Sequence, residues 1–227
     1  MTAAPDPGIS AGLPMPAESP ELHFLAATDV LPQRVLPLPP ARGSEREHRE
    51  LQTLHAMITA ATPERLARAA SDSAHEDPSI FSEALGRDLT RLPKTWSLLV
   101  SVQDEVEAAV ILSKDAFGRL RPYGVDATMP TCVKVNRDKP ARAYPSGHAG
   151  LGWGVGWFLV RLVPDMAPAI LNRADEYAQS RQLCGVHFPS DTEASHMLGT
   201  VVAERLLNDP RLADRIAAAR TELAAAQ

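Results

Sequence analysis

Apolar residues in this chain recur at helical spacing from residue 44 onward, and no alternating segment of useful length interrupts them. Ser44-x-x-Glu47 is a capping box, predicting a helix to about Ala61. Thr62-Pro63 supplies an N-cap and first-turn proline for the next, and Asp77-Pro78 does the same for a short helix closed by Gly86. Pro93 opens a long helix through Trp96, Leu99, Val102, Val106, Val110 and Leu112 to about Lys114. Pro145-Ser146 precedes an apolar helix whose Gly150, Gly152, Gly154 and Gly156 permit close backbone approach. Pro168 starts another to about Arg181, Ser190 is placed to cap one to about Leu207, and Asp209-Pro210 begins the last. There is no internal repeat. The expected architecture is an all-α, single-domain helical bundle over residues 41–227. It follows a Pro-rich, extended amino-terminal arm, 1–40, that carries nine of the twenty prolines and shows no periodicity.

Composition narrows the function classes. With 227 residues, the chain is long enough to bury a core, and 44% hydrophobic with 22% charged residues is ordinary for a globular protein. A net charge of −5 and few aromatics argue against a nucleic acid polymer as partner. An anion site must then be a local basic pocket on an acidic body. The most apolar stretch, Ala149 to Val163, contains Arg161 and falls short of the roughly twenty residues a spanning helix needs, so no membrane span is expected. The amino terminus lacks a basic start followed by an apolar run, as a cytosolic protein or a mature form with an added Met1 would.

The candidate chemistry lies in three fragments: Lys114-x6-Arg121-Pro122, Pro145-Ser146-Gly147-His148, and Ser180-Arg181-x5-His187-x3-Asp191. Each alone is weak, since a Lys and Arg pair is usually a solvated basic face and an isolated His commonly does no chemistry. Together they supply three cations, two imidazoles and a carboxylate, the inventory of a metal-free phosphoryl-transfer centre. Lys114 and Arg121 are two helical turns apart and project to one side if the helix persists. Ser146 and Gly147 at a helix start offer backbone N–H groups to an anion, and His148 in the first turn can reach a leaving-group oxygen. Arg181 provides bidentate contacts. His187 is expected to end one segment and Asp191 to begin the next. The Asp191 carboxylate then accepts from the imidazole Nδ1–H and leaves Nε2 free to attack phosphorus. His23, His48, His55 and His75 show no suitable neighbours, and His196 is expected at the rim. No spacing suits a metal, so neither metal nor cofactor is expected.

The order of these motifs resembles the superfamily of bacterial non-specific acid phosphatases, type 2 phosphatidic acid phosphatases and vanadium haloperoxidases. It is most similar to the class A bacterial non-specific acid phosphatases. Tyr144 before the Pro-Ser-Gly-His tetrad, Gly152-Trp153 after it and the whole run Ser180 to Asp191, with Cys184 and Ser190, fit that family. Leu36-Pro37-Leu38-Pro39-Pro40 and Phe81-Ser82 with Ala84 and Gly86 echo its amino-terminal half. Glu193-Ala194-Ser195-His196 departs from the family's acidic-Ala-Ala-Arg pattern. The resemblance implies an acid phosphatase of broad specificity with His187 as nucleophile, His148 as proton donor, and Lys114, Arg121, Ser146, Gly147 and Arg181 around the phosphate. It implies phosphomonoester substrates with possible transphosphorylation, an acidic optimum, a homo-oligomer (dimer or higher), and a periplasmic or secreted location with the cytoplasm as alternative. A vanadate-dependent haloperoxidase, disfavoured by length, and a non-catalytic helical anion-binding protein are the competing readings. Cys132 and Cys184, the two cysteines, each lie near a motif and are expected to pair, the alternative being two buried thiols.

Overall fold

The computed structural model describes residues 21–138 and 140–226, and every regular element among them is helical. Seven helices exceed ten residues: α1 Glu45–Ala60, α2 Pro63–Ala74, α3 Pro93–Phe117, α4 Gly147–Leu162, α5 Ala167–Leu183, α6 Pro189–Leu207 and α7 Ala213–Ala225. Their starts follow the local chemistry. Ser44 caps α1 by accepting from Glu47 N–H, Thr62 caps α2 through Arg65 N–H, and Leu92 precedes the proline that opens α3. One start differs from the sequence expectation. Phe188, not Ser190, is the N-cap of α6, because the Asp191 carboxylate reaches back to the Phe188 N–H and brings Pro189 into the first turn.

α4 is the central element, packed against α3, α5 and α6. Its glycines make that possible: a Cβ on Gly154 would lie 2.5 Å from Val106 Cγ2, and one on Gly199 of α6 would lie 2.7 Å from the Gly154 nitrogen. Backbone therefore meets backbone where α4 crosses α6. Phe81, Leu98, Leu99, Val155, Phe158, Tyr177 and Leu198 fill the space around this crossing. Truncating one such leucine to alanine costs about 2–5 kcal/mol through lost burial and the cavity left behind. A second cluster, with Leu54, Tyr123, Met129, Val186 and Phe188, backs the chain between α3 and α4 and the turn after α5.

Part of the stretch expected to be an extended arm is built into the fold. Residues 1–20 lie outside the described residues, but Ala27–Val30 and Pro32–Val35 form helical turns that plant Val30 and Leu36 in the core. His23, Phe24 and Leu25 donate their N–H groups to the buried Glu105 carboxylate, tying the segment to α3. No helix among the described residues is long and apolar enough to cross a membrane.

Candidate active site

The three fragments converge at one end of the bundle, by a route the sequence misjudges at Arg121. Gly118, at φ 57°, stops α3 four residues beyond Lys114. Arg121 therefore does not share Lys114's helix. It is the N-cap of a separate turn, Pro122–Val125, with Pro122 at its first position. From there the guanidinium returns to the site, where Nη1 donates to Val186 O and to His187 Nε2, each at 3.1 Å. Arg181, in the last turn of α5, is buried, donates to Ser73 Oγ, and leaves its Nε without a hydrogen-bond partner among the described residues.

These cations are held close at an electrostatic cost. Burial first, and then the nearby Arg121, lower the Lys114 ammonium to about 8. Burial with the charge of Arg121 lowers Arg181 to about 10, and Arg121 is also lowered chiefly by burial. An anion placed among these like charges would relieve their mutual repulsion.

His187 sits in the bend between α5 and α6. That bend depends on Gly185: its φ is 63°, and a Cβ there would lie 2.0 Å from Pro130 O. Cys184, beside it, is disulfide-bonded to Cys132, joining the wall under His187 to the loop after Arg121. A guanidinium only donates, so His187 Nε2 must accept from Arg121, and the ring proton lies on Nδ1. Nδ1 faces Asp191 Oδ2 at 3.4 Å, within ionic reach but without hydrogen-bond geometry, so Nδ1 has no hydrogen-bond partner among the described residues. The expected tautomer is present, but Nε2 is capped by Arg121 rather than free. Burial, then Arg121, Arg181 and Lys114, hold the imidazole well below its usual range, so it is neutral.

Asp191 is itself fixed by residues that sequence reasoning missed. Arg119 donates through Nη1 to Asp191 Oδ1 at 2.6 Å and to Ser190 Oγ at 2.7 Å, and through Nη2 to Glu50 Oε2 at 2.8 Å. Its guanidinium lies 3.9 Å from the Phe188 ring centroid. Glu50 also accepts from Ser190 N–H at 2.9 Å. Burial pushes the Asp191 carboxyl up to about 6 against the pull of Arg119. A second arginine two residues before Arg121 was the available signal, but nothing in the chain marks Glu50 as its partner.

On the other side, Ser146 is the N-cap of α4, its Oγ accepting from Ala149 N–H. Its own N–H donates to Ser195 Oγ at 2.8 Å, so Ser146 is committed to the scaffold and is fully buried. Among the described residues the N–H groups of Gly147 and His148 have no acceptor and are the pair available to an anion. Ser195, part of the departure from the family pattern, thus staples the α4 start to α6. A Cβ on Gly147 would come 3.3 Å from Glu76 Oε1 and 3.6 Å from Lys114 Nζ, which locates the cradle. His148 gains a carboxylate that its sequence neighbourhood lacks: Nδ1 is 2.8 Å from Glu76 Oε1, and Nε2 is 3.3 Å from Ser73 O. Carbonyl and carboxylate only accept, so each ring nitrogen of His148 faces an acceptor. Ser180 lies behind the site, donating to Asp72 at 2.6 Å. His55 pairs with Asp126 at 2.7 Å, contrary to its expected isolation, and His196 stacks on Trp153. No group of three His, Cys, Asp or Glu side chains among the described residues is arranged to hold a metal.

A fully helical bundle with converging Lys-x6-Arg-Pro, Pro-Ser-Gly-His and Ser-Arg-x5-His-x3-Asp fragments defines a phosphate-handling protein, and comparison with known proteins agrees. The PAP2 superfamily pattern matches residues 95–211, and the chain belongs to that superfamily, in its class A bacterial acid phosphatase branch. It is 30% identical over 217 residues to the non-specific acid phosphatase of Providencia stuartii, covering 90% of this chain and 86% of that one. To the acid phosphatase of Zymomonas mobilis it is 28% identical over 192 residues, 82% of this chain and 72% of the other. The non-specific acid phosphatase of Salmonella typhimurium is 30% identical over 149 residues, 63% of this chain and 59% of that protein.

Proposed function

We propose that this acid phosphatase hydrolyses phosphate monoesters through a phosphohistidine on His187, without a metal, and with broad tolerance for the alcohol. The observation that carries the reading is the paired geometry at His187: Arg121 on Nε2 and Asp191 facing Nδ1 fix a neutral imidazole whose lone pair points into three crowded cations. A phosphate dianion entering the cradle takes Lys114, Arg121, Arg181 and the Gly147 and His148 N–H groups as its ligands. Drawing Arg121 onto a phosphate oxygen uncaps Nε2, which attacks phosphorus as the P–O bond to the alcohol breaks. Asp191 receives the Nδ1–H as positive charge develops on the ring. His148 gives its proton to the departing alkoxide, then takes one from water as that water attacks the phosphohistidine and releases phosphate. An alcohol in place of water gives transphosphorylation.

The test is hydrolysis of an aryl phosphate with and without chelator and with vanadate. Full turnover in chelator, inhibition by vanadate and acid-labile label recovered on His187 after rapid quenching are the expected results. Inactivation by chelator that is reversed by zinc or magnesium would refute the metal-free route. The Cys132–Cys184 bridge also supports a periplasmic or secreted setting. Two free thiols titrated in denatured, non-reduced protein purified from its native compartment would sink that part.

A further inference from the structure

Among the described residues three arginines are buried, and two of them are fixed by carboxylates. Arg119 forks between Glu50 and Asp191, and Arg173 pairs with Asp72 at 2.6 Å. Arg181 is the exception. It makes no ion pair among the described residues, and its side chain's one hydrogen bond there runs from Nη1 to Ser73 Oγ. Ser73 in turn spends its hydroxyl differently from other helical serines. Ser101 and Ser113, inside α3, return theirs to the carbonyl four residues back, at 3.2 and 2.9 Å. Ser73, in the last turn of α2, instead accepts from Arg181 and lies 3.3 Å from Cys184 Sγ. A disulfide sulfur carries no proton, so the hydroxyl is the donor to it and keeps its lone pairs for Arg181. The backbone of the same residue faces the proposed acid. Ser73 O, one of the carbonyls left over at the α2 end, is 3.3 Å from His148 Nε2.

Resting on the phosphatase reading above, we propose that Ser73 is a positioning residue for the reaction, its hydroxyl setting the Arg181 guanidinium for phosphate without adding charge. It acts through Arg181, not on the substrate. A carboxylate in its place would hold the guanidinium at least as firmly, but would cancel the charge that phosphate needs. A hydroxyl holds it and leaves that charge uncompensated. Without the hydroxyl, repulsion from Arg121 and the pull of water both draw the guanidinium off its place.

The experiment measures vanadate dissociation constants by calorimetry, beside kcat and KM for phenyl phosphate. Ser73→Ala should weaken vanadate binding about tenfold, the worth of a hydrogen bond to a charged group, and lower kcat/KM by a similar factor. Ser73→Thr keeps the hydroxyl and should recover most of that loss. Ser73→Asp should bind vanadate more weakly than Ser73→Ala, because it anchors the guanidinium but neutralises it. The deciding comparison is a double-mutant cycle with Arg181→Lys, which lacks the fork. In that background Ser73→Ala should change vanadate affinity by less than about twofold, whereas a residue that only supports the fold would cost the same in both. The dependence of kcat on leaving-group acidity should not change in Ser73→Ala, since the carbonyl facing His148 is retained. Undiminished vanadate affinity in Ser73→Ala, no recovery in Ser73→Thr, or an equal loss in the Arg181→Lys background overturns the inference and leaves the phosphatase intact. If Arg181→Lys does not fold, the alanine, threonine and aspartate variants decide it. Absence of phenyl phosphate hydrolysis by the unaltered protein overturns the phosphatase reading and this one with it.

Discussion

His187 and His148 face the same cradle from opposite sides, and their supports differ in kind. Behind His187 lies a dry ion network: the Arg119 and Asp191 side chains are 4% and 0% exposed, and Glu50 completes the set. Behind His148 stands Glu76, 52% exposed, on the three-residue link between α2 and the turn at Pro78. In the first case charge is desolvated and its geometry is fixed, so removing one partner strands the others at large cost. In the second, water competes for the same contact and its energy is small. The His187 side, the proposed nucleophile, is built for placement, while the His148 side, the proposed acid, can yield to different alcohols. On the proposed mechanism, tolerance for different alcohols is the expected consequence of that asymmetry.

The sharpest way to break the comparison is to exchange the histidines' fates. His187→Ala should abolish turnover, by at least about a thousandfold, together with all acid-labile labelling. His148→Ala should lower turnover by about 10²–10⁴-fold for poor leaving groups and less for good ones, with phosphoenzyme accumulating in the latter case. Label retained on His187→Ala but absent from His148→Ala, read by rapid quench, would require the two roles to be reversed.

Arg119 tests the dry side directly. Arg119→Gln leaves Glu50 and Asp191 as buried, adjacent carboxylates, and should cost about 3–5 kcal/mol in denaturant unfolding. Arg119→Lys keeps the charge but cannot span both carboxylates and Ser190 with one fork, so it should recover only part of that loss. A structural brace alone would leave the catalytic pH profile of the folded fraction unmoved. A brace for Asp191 shifts the acid limb, because Arg119 is what opposes the burial of that carboxyl. An unchanged limb in Arg119→Lys would confine Arg119 to stability.

How far the chain announces all this follows from separation along it. The helices were legible because each start carries its own cap or proline, as Ser44 and Thr62 do. The motif residues were legible because the phosphate site needs those residue types in fixed order. Three things were not. The end of α3 was extended toward Arg121 because periodicity does not register a single left-handed glycine at 118. Glu50 and Glu76 were invisible because their partners lie 69 and 72 residues away, at Arg119 and His148, and only the packing of α1 and α2 brings them over. Ser146 was read as an anion ligand because sequence shows the cap but not Ser195, which takes its N–H from α6.

A smaller effect sharpens the comparison through the cradle both histidines share. Lys114 is lowered to about 8 by burial and by Arg121, so the free site keeps its full charge below pH 8 and loses it above. Bound anion restores the charge. Affinity for vanadate should therefore fall up to about tenfold per pH unit once pH exceeds 8. Lys114→Gln should flatten that limb, measured as vanadate inhibition constants across pH. For the empty fold the sign is opposite. A lysine whose value drops below the ordinary 10.5 costs stability at pH below 8, and that cost is relieved as pH rises from about 8 toward 10.5. Thermal midpoints with and without vanadate should diverge least at the alkaline end.

The smallest expected effect lies on the wet side. Glu76→Gln preserves the reach to His148 Nδ1 but removes the carboxylate charge beside the ring. Since the carboxylate is half exposed, the loss should be no more than about fivefold in kcat. It should also be uneven across a series of substituted phenyl phosphates. Esters of the more acidic phenols leave without help and should be unchanged, whereas those of the less acidic phenols depend on the proton from His148 and should slow. Plotting log kcat against leaving-group acidity separates the two explanations. A steeper slope assigns Glu76 to positioning the acid. A uniform drop along a parallel line would mean that the link after α2 only roofs the site, and that His148 delivers its proton without help from Glu76.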